Sequence, residues 1–147
     1  MRRIRLRMAL AGAIAALMIA APVAASQPAP VAISVHTDFD GSAPFDATGG
    51  LICASGTVND TFGVFVGWQS NRHAQILVGK HFDCGDGDTF EITLAVTLNF
   101  NTGSTFGTWT VISGTGAYDG LRGQGPIIGT SEPGGIFDEY TGGMHIH

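Results

Sequence analysis

Asp138 and Tyr140 stand two residues apart in "GIFDEYTGGMHIH". Residues two apart share a face of an extended chain. Alternation therefore turns a carboxylate and a phenol to the side that also carries Met144 and Ile146. A carboxylate buried there would hold its proton more tightly and could act as an acid or a base. Asp138 could instead cap the Gly134-Gly135 turn or pair with Arg122. Tyr118 is the other phenol, so Asp138, Tyr140 and Tyr118 are the candidate catalytic side chains. His145 and His147 are also two apart, a spacing that can chelate zinc or copper. They fall opposite Met144 and Ile146, on the wet side, and His36, His73 and His81 are scattered along the chain. Asp83, Asp86 and Asp88 lack the spacing and terminal glutamate of a calcium loop and read as turn residues. Gly-x-Ser-x-Gly, His-Glu-x-x-His and P-loop motifs are absent from the sequence. Neither a metal nor a cofactor is expected.

"SGTGAYDGLRGQG", Ser113–Gly125, carries five glycines in thirteen residues. Phosphate-binding glycine loops open a helix. This one leads into a run containing Pro126 that reads as a strand. It is expected to be a structural turn built from Gly114, Gly116, Tyr118, Gly120, Arg122 and Gly123. Gly116 and Gly120 would supply positive φ. Tyr118 would fold back as a plug at the end of the core, with its hydroxyl near a polar partner.

The elements that must position these residues are strands. No helix of useful length is expected. In Asp88–Phe100, Phe90, Ile92, Leu94, Val96, Leu98 and Phe100 alternate with Thr89, Glu91, Thr93, Ala95, Thr97 and Asn99. That period of two marks a strand with one buried and one wet face. Seven further strands are expected at Val31–Phe39, Gly50–Val58, Phe62–Gln69, Ala74–Phe82, Thr105–Ser113, Leu121–Thr130 and Ile136–Ile146. "CGDGD", "NTGS" and "EPGG" are short hairpin links. Eight strands joined this way favour an all-β, closed, eight-stranded antiparallel barrel, because closure removes open edges. A two-sheet sandwich is the alternative. Phe62, Val64, Val66 and Trp68 are assigned with Phe90, Ile92, Leu94 and Val96 to the inner, ligand-facing wall. Inward glycines at Gly123 and Gly125 would leave space beside it.

Residues 1–25 read as a secretory signal peptide: four arginines in Met1–Arg7, an apolar run Met8–Ala21, and small residues before a cut after Ala25. General export fits better than the twin-arginine route, and a retained anchor is the alternative to cleavage. Residues 26–30 would be a short leader and 31–147 the barrel. Of the seven bases only Arg72, Lys80 and Arg122 lie beyond residue 25, against all 12 acids, so the remaining chain carries 3 − 12 = −9. That charge disfavours nucleic acid and anionic membrane surfaces as partners. Cys53 and Cys84 are expected to form a disulfide if the chain is exported, with two buried thiols as the alternative.

"WTVISGTGAYDGLRGQG", Trp109–Gly125, resembles the signature of the allene oxide cyclase–dirigent barrel group. The likeness is closer to small exported bacterial members of that kind, which combine an F-x-C-x-D-G-x-G-x-F hairpin, G-T-W, this turn and D-x-Y-x-G. The corresponding residues are Phe82–Phe90, Gly107–Trp109, Ser113–Gly125 and Asp138–Gly142, with Asp88 where the pattern has glycine. The resemblance implies an eight-stranded barrel with an apolar interior. Plant members cyclise an oxidised fatty acid or steer phenolic radical coupling, but their catalytic and cavity acids have no residue-by-residue match here. The expected function is a secreted barrel binding a small apolar molecule. An isomerase or cyclase, and a ligand-free structural or cell-surface protein, are the alternatives. The oligomeric state is left open.

Overall fold

The computed structural model describes residues 27–38, 42–49 and 51–147. The expected signal peptide lies outside them. Eight strands follow in chain order: β1 (Ala29–Asp38), β2 (Ser42–Thr48), β3 (Ser55–Ser70), β4 (His73–Asp83), β5 (Thr89–Asn99), β6 (Thr105–Gly114), β7 (Leu121–Glu132) and β8 (Gly135–Ile146). Each pairs antiparallel with the next, and β8 returns to β1, so the sheet is a closed barrel. Closure satisfies the two edges that an open meander would leave to solvent. Among the described residues no helix is long and apolar enough to cross a membrane.

Six strands lie close to their expected positions, although β1 starts at Ala29, inside the expected leader, where Ala29 pairs with Met144. The region between β1 and β4 is divided differently. β2 is the short "SAPFDAT" segment, whose proline and aspartate hide its strand character. The two runs expected at Gly50–Val58 and Phe62–Gln69 are largely one continuous strand, β3.

β3 also explains a misplaced face. Val58 stands opposite the buried Phe82, and Asp60 opposite the buried Lys80. The pairing then shifts by one residue at Thr61, so Phe62 lies opposite Gly79 and Val64 opposite Leu77. A one-residue bulge exchanges the faces of everything beyond it. Phe62, Val64 and Val66 are therefore exposed, not part of the inner wall. After a second shift beside Val66, Trp68 returns opposite Ala74. It sits near the hairpin tip, beside Phe65 and Phe100 at 5.3 Å each, and is 67 % exposed. Beyond Asn59, β3 has β4 as its only strand partner among the described residues.

One end of the barrel is a packed aromatic floor. Phe82 stacks on Phe90 at 4.7 Å, and Phe45 meets Phe82 edge-on at 5.0 Å. The glycine turn closes this floor from outside. It forms a single 3-10 turn, Gly116–Tyr118, with Gly116 at φ 58° and Gly120 at φ 75°, as the turn reading requires. Tyr118 packs edge-on against Phe90 at 5.7 Å, and its hydroxyl accepts the Cys53 N–H at 2.8 Å. Gly114 is needed because a Cβ there would collide with the Tyr118 carbonyl. Cys53 and Cys84 are disulfide-bonded, with Cα atoms 5.8 Å apart, and fasten the β2–β3 connection to the end of β4. Closing a loop of 31 residues removes about 3–4 kcal/mol of unfolded-chain entropy.

Candidate functional site: a polar cluster in an apolar lumen

Beyond the aromatic floor the lumen is not filled. A cavity of about 270 Å³ lies between β3–β5 and β7–β8. Its apolar walls come from Ile76 and Val78 on β4, Leu94, Val96 and Leu98 on β5, Ile127 on β7 and Ile136 on β8. Thr37, Asp60, Lys80, Thr105 and Asp138 supply its polar surface. The volume falls just below the range of small-molecule pockets, about 300 to 1,000 Å³.

Lys80 is the centre of the polar surface. The inward face of β4 reads Ala74, Ile76, Val78, Lys80, Phe82, so the strand that builds the wall carries one ammonium among apolar side chains. The Lys80 side chain is only 4 % exposed. Its Nζ donates to Asp60 Oδ1 at 2.7 Å, lies 3.5 Å from Thr37 Oγ1 and is 3.9 Å from Asp138 Oδ2. A buried ammonium without such partners would be severely penalised.

Asp138 projects from β8 into the same space. Tyr140, two residues on, packs its ring edge-on against Phe82 at 6.3 Å and points its hydroxyl to Asp138 Oδ2, 3.5 Å away. The phenol thus links the floor to the polar cluster. Burial pushes the Asp138 carboxyl up to about 6; the neighbouring Lys80 ammonium opposes that rise and Asp60 adds to it. Burial, followed by the Asp138 charge, holds the Tyr140 phenol well above its ordinary range. Tyr140 is therefore a hydrogen-bond donor at neutral pH, while Asp138 exchanges a proton close to it. Gly129, opposite Asp138 on β7, leaves the room this carboxylate occupies: a Cβ there would stand 2.6 Å from Asp138 Oδ1 and also collide with Thr105 Oγ1.

No protein-family model, curated protein or solved structure matches the chain.

The expected residues are sorted by this geometry. Asp138 and Tyr140 do share the lumen, and Lys80, not Arg122, is the base beside Asp138. Arg122 is exposed, with Nη1 donating to the Leu121 carbonyl. Tyr118 belongs to the closed end, where its hydroxyl is occupied by Cys53, so it is a structural plug and no partner of the other two. Leu94 and Val96 line the cavity as expected, while Phe90 and Ile92 lie deeper in the packed interior. Gly123 faces inward but makes room for Met144, into whose side chain a Cβ would run. Gly125 faces the β8 backbone at Thr141. Asp83 accepts the Gly85 N–H and Asp88 the Ala117 N–H, both as turn contacts. His145 and His147 approach one another at 3.0 Å through their Nε2 atoms. Among the described residues no cluster of three or more potential ligands holds a metal geometry.

Lys80 and Asp60 were missed by sequence reasoning. The signal for Lys80 is its place in the alternating face Ala74, Ile76, Val78, Phe82, where a lysine interrupts an apolar series. Asp60 sits in "VNDT", which reads as a break between strands and is in fact the approach to the bulge.

Proposed function

We propose that this chain is an exported barrel of the allene oxide cyclase–dirigent type that takes up a small, mainly apolar molecule carrying one polar end. The observation behind this reading is the cavity itself. A closed aromatic floor, aliphatic walls and a buried Lys80–Asp138 pair at one side make a site that is apolar along its length and polar at one point. A packed core gains nothing from burying that pair, since ion pairs of this sort are at best neutral for stability against apolar replacements. A ligand-orienting role accounts for their presence. The basic, apolar N-terminal segment and the disulfide support export.

Native mass spectrometry of the protein, followed by solvent extraction, tests the reading. A discrete apolar mass should accompany the chain and be lost when the lumen is filled by Val96→Phe. A bare polypeptide mass, together with no uptake of added apolar compounds, overturns it.

A second reading is favoured by Asp138. A buried carboxyl raised to about 6 beside a phenol donor is suited to moving a proton on a bound substrate. In an isomerase or cyclase of this kind Asp138 would take or give the proton, and Tyr140 would hold a developing oxyanion by its hydroxyl. Conversion of the extracted compound by wild type but not by Asp138→Asn supports catalysis. Equal conversion by wild type, Asp138→Asn and Tyr140→Phe removes these residues from it.

A further inference from the structure

The polar end of the lumen is short of one positive charge. Two carboxylates, Asp60 and Asp138, face one ammonium, Lys80, and no other charged side chain lines the cavity among the described residues. The Lys80 ammonium has three hydrogens, and three oxygens already surround it, at 2.7 Å (Asp60), 3.5 Å (Thr37) and 3.9 Å (Asp138). Its one short hydrogen bond goes to Asp60, so that pair is balanced in charge while Asp138, 3.9 Å away, has no close cation. The carboxylate oxygens are acceptors with capacity left. Asp138 has Thr37 beside it and receives the long contacts from Tyr140 and Lys80. A ligand that brings donors and a positive charge would complete the cluster. One that brings a negative charge would place a third anion beside a single cation, next to the buried Asp138.

We infer that the lumen selects short apolar molecules ending in a primary ammonium, and discriminates against the corresponding carboxylates. The inference rests on the lumen-binding reading above. The elevated proton affinity of Asp138 is consistent with it, because an uncompensated buried carboxylate is what a cationic head would relieve. Selection here works by charge balance at a fixed point, while the aliphatic walls contribute affinity without regard to the head.

Calorimetric titration of the full chain at pH 8 with octylamine, octan-1-ol and octanoate separates the two claims. Octylamine should bind about tenfold or more tighter than octan-1-ol, with octanoate weakest. Asp60→Asn, at a half-exposed position, should bring octylamine down to the octan-1-ol level and improve octanoate. Asp86→Asn changes the overall charge equally but lies in an exposed turn remote from the cavity, so it should leave the order unchanged. If octan-1-ol or octanoate binds as tightly as octylamine, the charge-selection inference fails and the lumen remains a site. An equal drop in octylamine affinity in Asp86→Asn and Asp60→Asn also overturns it, by showing attraction to the acidic surface. If none of the three binds, the lumen-binding reading itself fails.

Discussion

Lys80 and Asp60 meet across the β3–β4 pairing at 2.7 Å, one side chain 4 % exposed and the other 49 %. The pair joins the buried interior to solvent through a single hydrogen bond, just before the bulge at Thr61. Its two halves are not equivalent. Lys80→Met leaves Asp138 in the lumen without a cation and should cost about 3–5 kcal/mol at pH 8, the usual penalty for orphaning a buried charge. Asp60→Asn should cost about 1 kcal/mol, because the exposed partner is screened and Lys80 retains Asp138. Lys80→Met/Asp138→Leu should recover most of the single-variant loss. Urea unfolding of the three variants checks the order. A double variant as unstable as Lys80→Met would show that the cluster holds the barrel together.

Asp138 gives stability a pH dependence of known sign. Its folded pKa, about 6, is above its ordinary value of 3.8, so the folded state holds the proton more tightly than the unfolded state. The associated stability is fully present below pH 4 and is lost as pH rises through 6. A displacement of about two pH units corresponds to roughly 3 kcal/mol. Asp138→Asn removes this contribution. The difference in unfolding free energy, variant minus wild type, should therefore rise between pH 4 and pH 7 by roughly 2–3 kcal/mol. A flat difference would place Asp138 in contact with water.

Gly129→Ala tests the packing around the carboxylate. The added methyl collides with Thr105 Oγ1 and stands 2.6 Å from Asp138 Oδ1, so both side chains must shift. Overpacking of this kind costs about 1–3 kcal/mol. Because Asp138 must move, its titration should shift together with the stability. A variant with wild-type stability and an unchanged Asp138 titration would mean that the two side chains do not share this space.

Position along the barrel separates two aromatic residues that sequence periodicity treats alike. Phe90→Ala, in the stacked floor, should cost about 3–5 kcal/mol. Trp68→Ser, at the exposed hairpin tip, should change stability by no more than about 1 kcal/mol. Thermal unfolding of both variants is sufficient. Comparable losses would place Trp68 inside the barrel and not at its exposed rim.

That contrast also marks where the sequence was readable. Strict alternation in β5, the turn chemistry of Gly116 and Gly120, and the paired Asp138 and Tyr140 all depend on local rules, and each is visible without coordinates. β2 was hidden because Pro44 and Asp46 dilute its strand character, although Ala43 and Phe45 face the core. The face of Phe62 and Val64 was lost because a bulge is a property of two strands, and nothing in β3 alone reveals which residue β4 skips. Only part of the polar cluster was legible, for the same reason. Asp138 and Tyr140 share one strand, whereas Lys80, Asp60 and Thr37 join them only through closure of the barrel.

Methyl-resolved NMR during addition of octan-1-ol tests lumen binding most directly. Shifts should be concentrated in Ile76, Val78, Leu94, Val96, Ile127 and Ile136, with the outward Val64, Ile112 and Ile128 unaffected. Shifts confined to Val64, Val66 and the neighbouring outer wall, with the lumen methyls silent, would contradict it and make the exposed β3 surface, not the cavity, the place where apolar molecules bind.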